Sequence, residues 1–404
     1  MKYFSFGFGR AFWRRDPSPY RAIRPSSFKT LDPTKKVEEE RMPAYDLGLF
    51  YPVRFGDTFQ TRYQVISKVG FGATSTIWLC RDIQKHRYIA LKIFIQDWRK
   101  NREVEVLSRL SELKTRHDVN GLIRTMLDSF EIEGPKGKYQ CIVFEPLMTS
   151  LLHFQETMDS PSLPENLLKA LLEQLLLALE LLHSEAGVIH TGKLPLFTSG
   201  HASSKSLTSY ISNVDIQAKN IMIGTRDNSI FSDWEKSEKE NPSSRKVLDS
   251  HTIYESQPFR RANALSKFGL PLLSDFGEAR IGKVHTGLIQ PELYRAPEVI
   301  LEMEWTSKVD IWNVGTLIWD LFEDGHLFDG RGPDKQYSDL HHLAEMTAIL
   351  GPPPTSFLRK SPESQKYWDQ SGIRVSIPYL TPFRACLTYT QVNGREKSVS
   401  LNYR

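Results

Sequence analysis

Two short motifs in the second half of the chain, and their order after earlier signals, constrain the fold most. An Asp-Phe-Gly triplet starts at Asp275, and an Ala-Pro-Glu triplet ends shortly afterwards at Glu298. A Gly-x-Gly turn at Gly70 lies between strand-like runs, and strongly apolar helical patterns come after it at 166–183 and 309–322. Strand patterns first and helical patterns later predict an α+β fold, with a small β-rich lobe and a larger helical lobe.

The composition excludes several classes of protein. The 404 residues are enough for one two-lobed domain with tails, and the 40% apolar and 25% charged fractions are ordinary for a soluble globular protein. A net charge of +4 is small for this length and gives no argument for direct nucleic-acid binding. The three scattered cysteines have no metal spacing and favour a reducing compartment. No apolar run reaches the roughly 18 residues that a membrane span needs, so we expect no membrane partner.

Changes in composition divide the chain into four segments. Residues 1–60 form a basic extension that we expect to be disordered, although its Arg-rich start also fits a mitochondrial transit peptide. Residues 61–147 carry the strand patterns, and residues 148–372 carry the apolar helices. Residues 373–404 show no clear helical periodicity and form an atypical tail.

Two polar stretches interrupt the helical segment. Residues 192–214 are rich in Ser, Thr and Lys and show no periodicity. Residues 232–267 are polar and charged and are predicted to form a surface insertion.

The glycine turn predicts a phosphate-binding loop. Glycine lets the backbone approach phosphates and presents N–H donors, although a bare Gly-x-Gly is more often a simple hairpin turn. The strand that follows ends in an apolar run containing Lys92, which at this spacing is the expected clamp on the α- and β-phosphates. The nucleotide-binding residues predicted in these strands are Val69, Gly70, Phe71, Gly72, Ala73, Ile77, Ala90 and Lys92.

Two further positions complete the predicted nucleotide site of the strand-rich segment. Glu103 lies on the next predicted helix and is expected to orient Lys92, with Glu105 as the competing candidate. Glu145 and Leu147 follow a short apolar strand, and we expect backbone groups there to hold the adenine.

These motifs together resemble those of eukaryotic protein kinases and, among them, the serine/arginine-protein kinases in the form common in fungi. The resemblance covers roughly residues 38–372. It implies a bilobal kinase fold, with the N-lobe and hinge at 61–147 and the C-lobe at 148–372. The segments that carry it are Tyr51–Arg54, Gly72 with Ser75–Thr76, Val188–Thr191, Asp215–Asn220, Ser274–Gly277, Tyr294–Glu298, and a helical block that starts with Leu340–Ala344 and ends at Gly351–Pro353.

The resemblance implies ATP and Mg²⁺ as cofactors and assigns the catalytic roles. Asp215 would act as the base for the substrate hydroxyl, and Asn220 and Asp275 would hold magnesium. The usual lysine position two residues after the aspartate is Gln217, so Lys219 is the candidate for the charge near the γ-phosphate. The alternative is that Lys219 merely faces solvent.

An insertion cuts the resembled catalytic loop in two. In the family His-Thr-Asp is continuous, but here 192–214 separates Thr191 from Asp215. We interpret the 23 residues as a retained intron translated in frame, because Gly192–Lys193 can be encoded by a GGTAAG splice-like site and Val214–Asp215 by GTAGAC. The alternative interpretation is a tolerated loop.

The tail departs from the family as well. After about Gly372 the family continues with helices, one of which carries an arginine that pairs with the glutamate of Ala-Pro-Glu. Residues 373–404 offer no such context and are interpreted as a frameshifted or misspliced end. We therefore expect Glu298 to lack its ionic partner, which is costly for a buried carboxylate.

The expected function is transfer of the γ-phosphate of ATP to serine hydroxyls of Arg/Ser-rich splicing factors, by a monomer found in the cytoplasm and nucleus or alternatively in mitochondria. One rival is a catalytically impaired kinase-like protein that acts only as a binding module. Another, a small-molecule kinase of the aminoglycoside type, is disfavoured by the Ala-Pro-Glu motif and by the apolar helix from Asp310.

Overall fold

The computed structural model describes residues 28–96, 102–115, 118–158, 162–191, 217–257, 268–323, 325–369, 386–392 and 395–402. Its contacts divide the chain into two compact units. The first unit consists of Met1–Val104, Arg124–Thr149 and Ile223–Leu270, and the second of Glu105–Ile123, Ser150–Met222 and Pro271–Arg404. The first unit is rich in strands and the second in helices, so the predicted α+β fold is confirmed.

An antiparallel sheet of six strands forms the first unit, in the order β1-β2-β3-β4-β6-β5. Alternate side chains such as Val65, Ile89 and Tyr139 are fully buried on one face, which is why these segments fold as strands. The strands are β1 Thr58–Phe59, β2 Tyr63–Gly72, β3 Ser75–Asp82, β4 Arg87–Phe94, β5 Met126–Gly134 and β6 Gly137–Phe144.

Two segments that the sequence did not assign to this sheet belong to the same unit. The N-terminal segment forms a 3-10 helix at Glu38–Arg41 and α1 at Pro43–Asp46, so the disorder predicted for 1–60 is wrong for the described residues 28–60. The glutamates of this 3-10 helix form ion pairs with lysines of the same unit. Residues 1–27, with the transit-peptide interpretation, lie outside the described residues.

The predicted insertion 232–267 is also structured where it is described, and it belongs to the first unit rather than to the predicted C-lobe segment 148–372. It contributes most of α6 Ser229–Glu240 and a hairpin of β10 Arg245–Val247 and β11 Thr252–Tyr254. Ile230 and Phe231 pack against Ile66 and Leu79 of the sheet, and this apolar contact holds α6 on the strand-rich unit.

Helices build most of the second unit. Among the described helices, α5 Glu165–Glu180 buries Leu168, Leu171 and Leu175 on one face, while Leu176 is 47% exposed on the other. Helix α2 begins in the first unit and continues into the second. The described helices of the second unit, α2 included, are α2 Arg102–Ser111, α3 Val119–Leu122, α4 Leu151–Glu156, α5, a π-helical turn Leu181–Ala186, α7 Pro297–Ile300, α8 Lys308–Phe322, α9 Asp339–Leu350 and α10 Thr355–Leu358. The short 3-10 helices are Ala218–Asn220, Glu292–Tyr294 and Pro362–Lys366.

The remaining strands are short. Strands β8 Val188–Ile189 and β13 Arg280–Ile281 form an antiparallel pair in the second unit. The tail contributes a hairpin of β14 Cys386–Val392 and β15 Arg395–Asn402. Three further strands lie where the chain passes from one unit to the other. They are β7 Thr149–Ser150, β9 Ile221–Thr225 and β12 Phe268–Leu273. None of the helices in the described ranges is long and apolar enough to cross a membrane.

Candidate active site

The β2–β3 hairpin carries the predicted phosphate loop. Gly70 pairs with Ile77 and Gly72 with Ser75, which leaves Ala73 and Thr74 at the turn. A Cβ atom added at Gly70 or at Gly72 would meet nothing within 4 Å, so the backbone there faces open space. Such a surface suits the close approach of a phosphate.

Lys92 and Glu103 form the ion pair that the sequence predicted. The Lys92 Nζ and Glu103 Oε2 atoms are 2.6 Å apart, and the two side chains are only 13% and 3% exposed. The competing candidate Glu105 is exposed. The structure therefore selects Glu103, and its carboxylate fixes the Lys92 ammonium at one position on β4.

Strand register brings the other predicted nucleotide residues of this unit to the same sheet. Ile77 pairs with Lys92 across β3 and β4, while Ala90 pairs with Phe144 on β6. Glu145 directly follows Phe144. The sheet thus carries the loop, the lysine strand and the start of the predicted adenine-holding segment.

Side chains from two directions hold Glu145. Its carboxylate accepts a hydrogen bond from Arg87 Nη1 at 3.0 Å. Its backbone carbonyl accepts one from Arg124 Nη2 at 3.5 Å, and the Arg124 guanidinium also lies 4.3 Å from the centroid of the Phe144 ring. Leu147, the second predicted residue of this segment, is buried. These contacts therefore fix the position of the backbone around Glu145.

In the second unit a buried carboxylate organises the start of the catalytic loop. Asp310, at the beginning of α8 and fully buried, accepts the backbone N–H groups of His190 at 2.8 Å and Thr191 at 2.9 Å. It also accepts the ring N–H of His183 at 2.7 Å. Thr191 has a φ of 63°, an unusual backbone conformation that these bonds hold in place.

Sequence reasoning assigned no role to Asp310. An acid at the start of a largely apolar helix was a usable signal, because such a residue is rarely buried unless several donors satisfy it.

The predicted magnesium ligands come together through backbone contacts. The carbonyl of Asn220 accepts hydrogen bonds from the backbone N–H of Ser274 at 2.9 Å and from its hydroxyl at 2.7 Å. Asp275 is the next residue and has a φ of 64°. His190 reinforces the arrangement, since its Nε2 donates to the Ser274 carbonyl at 3.0 Å and its ring meets the Phe276 ring edge-on.

This donor set fits Mg²⁺. Amide and carboxylate oxygens are hard ligands, and magnesium sites commonly take only one or two carboxylates from the protein, the rest of the shell coming from phosphates and water. Within the described ranges no group of three or more His, Cys, Asp and Glu forms a self-sufficient metal site. Asn220 and Asp275 therefore suit a metal that arrives with a nucleotide.

The predicted base, Asp215, lies outside the described residues, as does the insertion 192–214. Of the other predicted residues in this loop, Lys219 lies with Asn220 in the 3-10 helix Ala218–Asn220 and is partly buried. The site of the second unit is thus described on both sides of Asp215.

The segment between Asp275 and Glu298 is anchored by polar contacts along its length. The Thr191 hydroxyl donates to the Glu278 carbonyl at 2.7 Å, and β13 pairs with β8 directly afterwards. His285 and Trp305 exchange backbone hydrogen bonds of 3.0 and 2.8 Å. These contacts hold the segment through uncharged groups.

A buried glutamine anchors the end of this segment. Gln290 accepts the Ala296 N–H at 2.8 Å and donates to Asn313 Oδ1 at 2.8 Å and to the Val309 carbonyl at 2.9 Å. Sequence reasoning missed this role, because a single glutamine outside a helix or strand pattern is usually a surface residue.

Glu298, the last residue of the Ala-Pro-Glu motif, has no ion pair in the part of the chain that the structure describes. Burial raises the pKa of its carboxyl, while Lys308 and Lys360 oppose the shift only over a distance. The prediction that Glu298 lacks the arginine partner of the resembled family stays a prediction.

Comparisons with known proteins agree with this geometry. A family model described as the protein kinase domain matches residues 63–192. A serine/threonine protein kinase of Aspergillus fumigatus is 58% identical over 361 residues, which cover 89% of this chain and 83% of that protein. The serine/threonine-protein kinase SRPK of Physarum polycephalum is 30% identical over 369 residues, covering 85% and 80%.

The solved crystal structure of a kinase domain supports the fold alone. It shares 21% sequence identity with this chain, covers 82% of it and 83% of the solved chain, and superposes with a TM-score of 0.56. The fold, the paired Lys92 and Glu103, and the extent of the similarity to the Aspergillus fumigatus protein lead to one conclusion: the chain belongs to the serine/threonine protein kinase family.

Proposed function

We propose that this kinase transfers the γ-phosphate of ATP to serine hydroxyls of Arg/Ser-rich proteins linked to mRNA processing. The catalytic part of the proposal rests on the Lys92–Glu103 ion pair, which is the arrangement that clamps nucleotide phosphates in protein kinases. The substrate class is supported by the similarity to the Physarum polycephalum protein named SRPK and, over 162 residues, to SRSF protein kinase 3 of the mouse.

The roles of the residues follow from kinase chemistry. Lys92, oriented by Glu103, would neutralise the α- and β-phosphates, and the loop around Gly70 would cover them. Asn220 and Asp275 would hold Mg²⁺, which when bound screens charge on the phosphates. These residues contribute position and charge rather than covalent chemistry.

The transfer itself is a single displacement. The serine oxygen forms a bond to the γ-phosphorus while the bond from that phosphorus to the β–γ bridging oxygen breaks, and ADP leaves. Asp215 accepts the proton of the hydroxyl. Lys219 balances the negative charge on the transferring phosphoryl group, in place of the lysine that related kinases usually have where this chain has Gln217.

A peptide assay tests this function. An Arg-Ser repeat peptide, an acidic serine peptide of equal length and an aminoglycoside would each be offered with labelled ATP and Mg²⁺. We expect phosphate on the serines of the Arg-Ser peptide at a rate well above the other two. Preferential labelling of the aminoglycoside or of the acidic peptide would reject the proposed substrate class.

A second candidate is a catalytically impaired kinase that acts only as a binding module. The family match ends at residue 192, where the insertion 192–214 begins, and Glu298 lacks an ionic partner among the described residues. In this proposal the insertion is retained intron sequence that separates His190 and Thr191 from Asp215. Deletion of 192–214 should then raise the phosphotransfer rate, and an unchanged or lower rate would favour a tolerated loop.

The remaining proposals concern the setting of the enzyme. We propose a monomer that works in the cytoplasm and nucleus, in keeping with splicing-factor substrates, with mitochondria as the alternative location. Imaging of the tagged full-length chain would separate the two locations, and sedimentation of the purified chain would establish its oligomeric state.

A further inference from the structure

Three consecutive glutamates in the N-terminal 3-10 helix, Glu38 to Glu40, meet two buried lysines from distant parts of the first unit. Glu40 accepts hydrogen bonds of 2.7 and 2.9 Å from the ammonium of Lys246 on β10, which also donates to the Lys35 carbonyl at 3.1 Å. Glu38 and Glu39 instead bind Lys68 on β2. An acidic run that would normally face solvent is thus taken up by internal partners.

Lys68 has no exposed surface, and two carboxylates and a backbone carbonyl surround its ammonium. Its Nζ atom contacts the carboxylate of Glu39, lies 3.3 Å from Glu38 Oε2, and donates to the Tyr254 carbonyl at 3.1 Å. Glu38 is itself held by the hydroxyl of Ser256 at 2.6 Å. A buried ammonium persists only when it is fully paired in this way, so its position is tightly defined.

The position of Lys68 links this cluster to the phosphate loop. A bulge in the pairing of β2 with β3 lies between Lys68 and Gly70, and bulges re-aim the residues that follow them. The Lys68 ammonium lies 5.2 Å from the centroid of the Phe71 ring, within the range of a cation–π interaction. Its backbone carbonyl also accepts the N–H of Gln257 at 3.2 Å.

The loop needs restraint from outside. Gly70 and Gly72 flank Phe71, have no side chains, and sit where even an added Cβ would touch nothing. Phe71 is the residue between the two glycines, so a contact to its ring restricts the loop most directly. A loop that is already ordered loses less conformational entropy when it closes on a nucleotide.

We propose that Lys68 is a positioning residue for nucleotide binding: Glu38 and Glu39 fix its ammonium, and the ammonium holds Phe71 and with it the phosphate loop. Glu38, Glu39 and the Tyr254 carbonyl, which hold the Lys68 ammonium, would thereby influence the affinity for ATP without touching it. This assignment rests on the proposed ATP-dependent function.

Binding of ATP with Mg²⁺ to the full chain, followed by calorimetry, tests the assignment without requiring phosphotransfer. Because Lys68→Met alone leaves two carboxylates without their cation, the main variant is Lys68→Met/Glu39→Gln, which removes one charge of each sign. The matched control is Lys246→Met/Glu40→Gln, which removes the same chemistry from the same 3-10 helix at the pair remote from Phe71. Melting temperatures are recorded for every variant.

We expect the Lys68 variant to bind ATP about tenfold more weakly, as loss of a desolvated cation–π contact and of loop order implies. The Lys246 control should melt earlier to a similar degree but keep the wild-type Kd. Phe71→Leu should weaken binding too, and its combination with the Lys68 variant should add little, because both remove one contact.

Other outcomes overturn the assignment. Wild-type affinity in the Lys68 variant, equal weakening in the Lys246 control, or full additivity with Phe71→Leu would each show that Lys68 has only a structural role. A wild-type chain that binds no nucleotide would instead reject the proposed ATP-dependent function and this assignment together.

Discussion

The two units hold their functional residues by different means. In the first, charged side chains bind charged side chains: Lys92 binds Glu103, and Lys68 binds Glu38 and Glu39. In the second, single polar groups bind the backbone: Asp310 accepts two loop amides, and Asn220 accepts from Ser274. The ion pairs fix the positions of individual ammonium groups, whereas the backbone contacts fix the path of whole loops.

The largest expected effects fall on one residue from each side of this comparison. Lys92→Ala and Asp275→Ala should each reduce phosphotransfer about a thousandfold or more, because the Lys92 ammonium would neutralise the phosphates directly and Asp275 would do so through the Mg²⁺ that it holds. Initial rates with a serine peptide would be compared with those of Lys85→Ala, an exposed lysine in the turn between β3 and β4. Appreciable activity in either variant would refute the assigned role of that residue.

Asp310→Asn tests whether backbone anchoring matters as much as charge. The amide keeps the shape but has one acceptor oxygen for three donors and places an N–H group toward them. We expect a loss of about 3 kcal/mol in the free energy of unfolding and about a hundredfold in rate, since a small displacement of a catalytic loop is enough for that loss. Chemical denaturation and peptide kinetics measure the two quantities. A variant with normal stability and rate would show that the loop is held elsewhere.

Lys219→Ala and Gln217→Ala sharpen the comparison inside the catalytic loop. If the charge near the γ-phosphate comes from Lys219, its removal should lower the rate about tenfold or more, while Gln217→Ala should change it less than about twofold. Both variants are made in the same background and assayed at saturating ATP. Small, equal effects would reject the assignment of the γ-phosphate charge to Lys219.

The same contrast explains what the sequence could reveal. The glycine turn, Lys92 and the pair Asn220 and Asp275 follow from fixed local spacing, and Glu103 required only a choice between two neighbours. The role of Asp310 could not be predicted, because the three groups that donate hydrogen bonds to it lie more than a hundred residues away in sequence.

The N-terminal extension was misread for a related reason. An acidic run such as Glu38 to Glu40 normally indicates a solvated surface. Its partners Lys68 and Lys246 lie in separate strands far along the chain, and nothing in local periodicity links them. Long-range pairing of charges is therefore the part of this fold that pattern analysis could not supply.

Glu298→Gln should produce a smaller effect with a distinctive dependence on pH. The folded-state pKa of this carboxyl is raised, so between its unfolded and folded pKa values the folded state binds more protons, and stability falls as pH rises. At pH 7.5 the glutamine removes this penalty and should raise the free energy of unfolding by about 1 kcal/mol, or the melting temperature by about 2 °C. Near pH 4, where both states are mostly protonated, the gain should shrink.

The matched control for this prediction is Glu304→Gln, an exposed acid nearby in sequence. It should leave the melting temperature within experimental scatter at both pH values. A Glu298→Gln variant that is less stable than the wild type at pH 7.5 would mean that the carboxylate has a stabilising ionic partner after all.

The smallest expected effect concerns Thr286, which with Tyr294 is one of the two phosphorylatable hydroxyls between the two motifs that frame this segment. Many kinases need a phosphate here, because it recruits arginines that order the segment. In this chain the Thr191–Glu278 bond, the His285–Trp305 pair and Gln290 already anchor it without any phosphate. Thr286→Ala, made in the variant lacking 192–214, should therefore keep the rate within about twofold, and phosphatase treatment should change the parent protein equally little, since these contacts need no phosphate. If activity instead collapsed and returned only when Thr286 was phosphorylated, backbone anchoring would be insufficient, and the second unit would depend on charge as the first unit does.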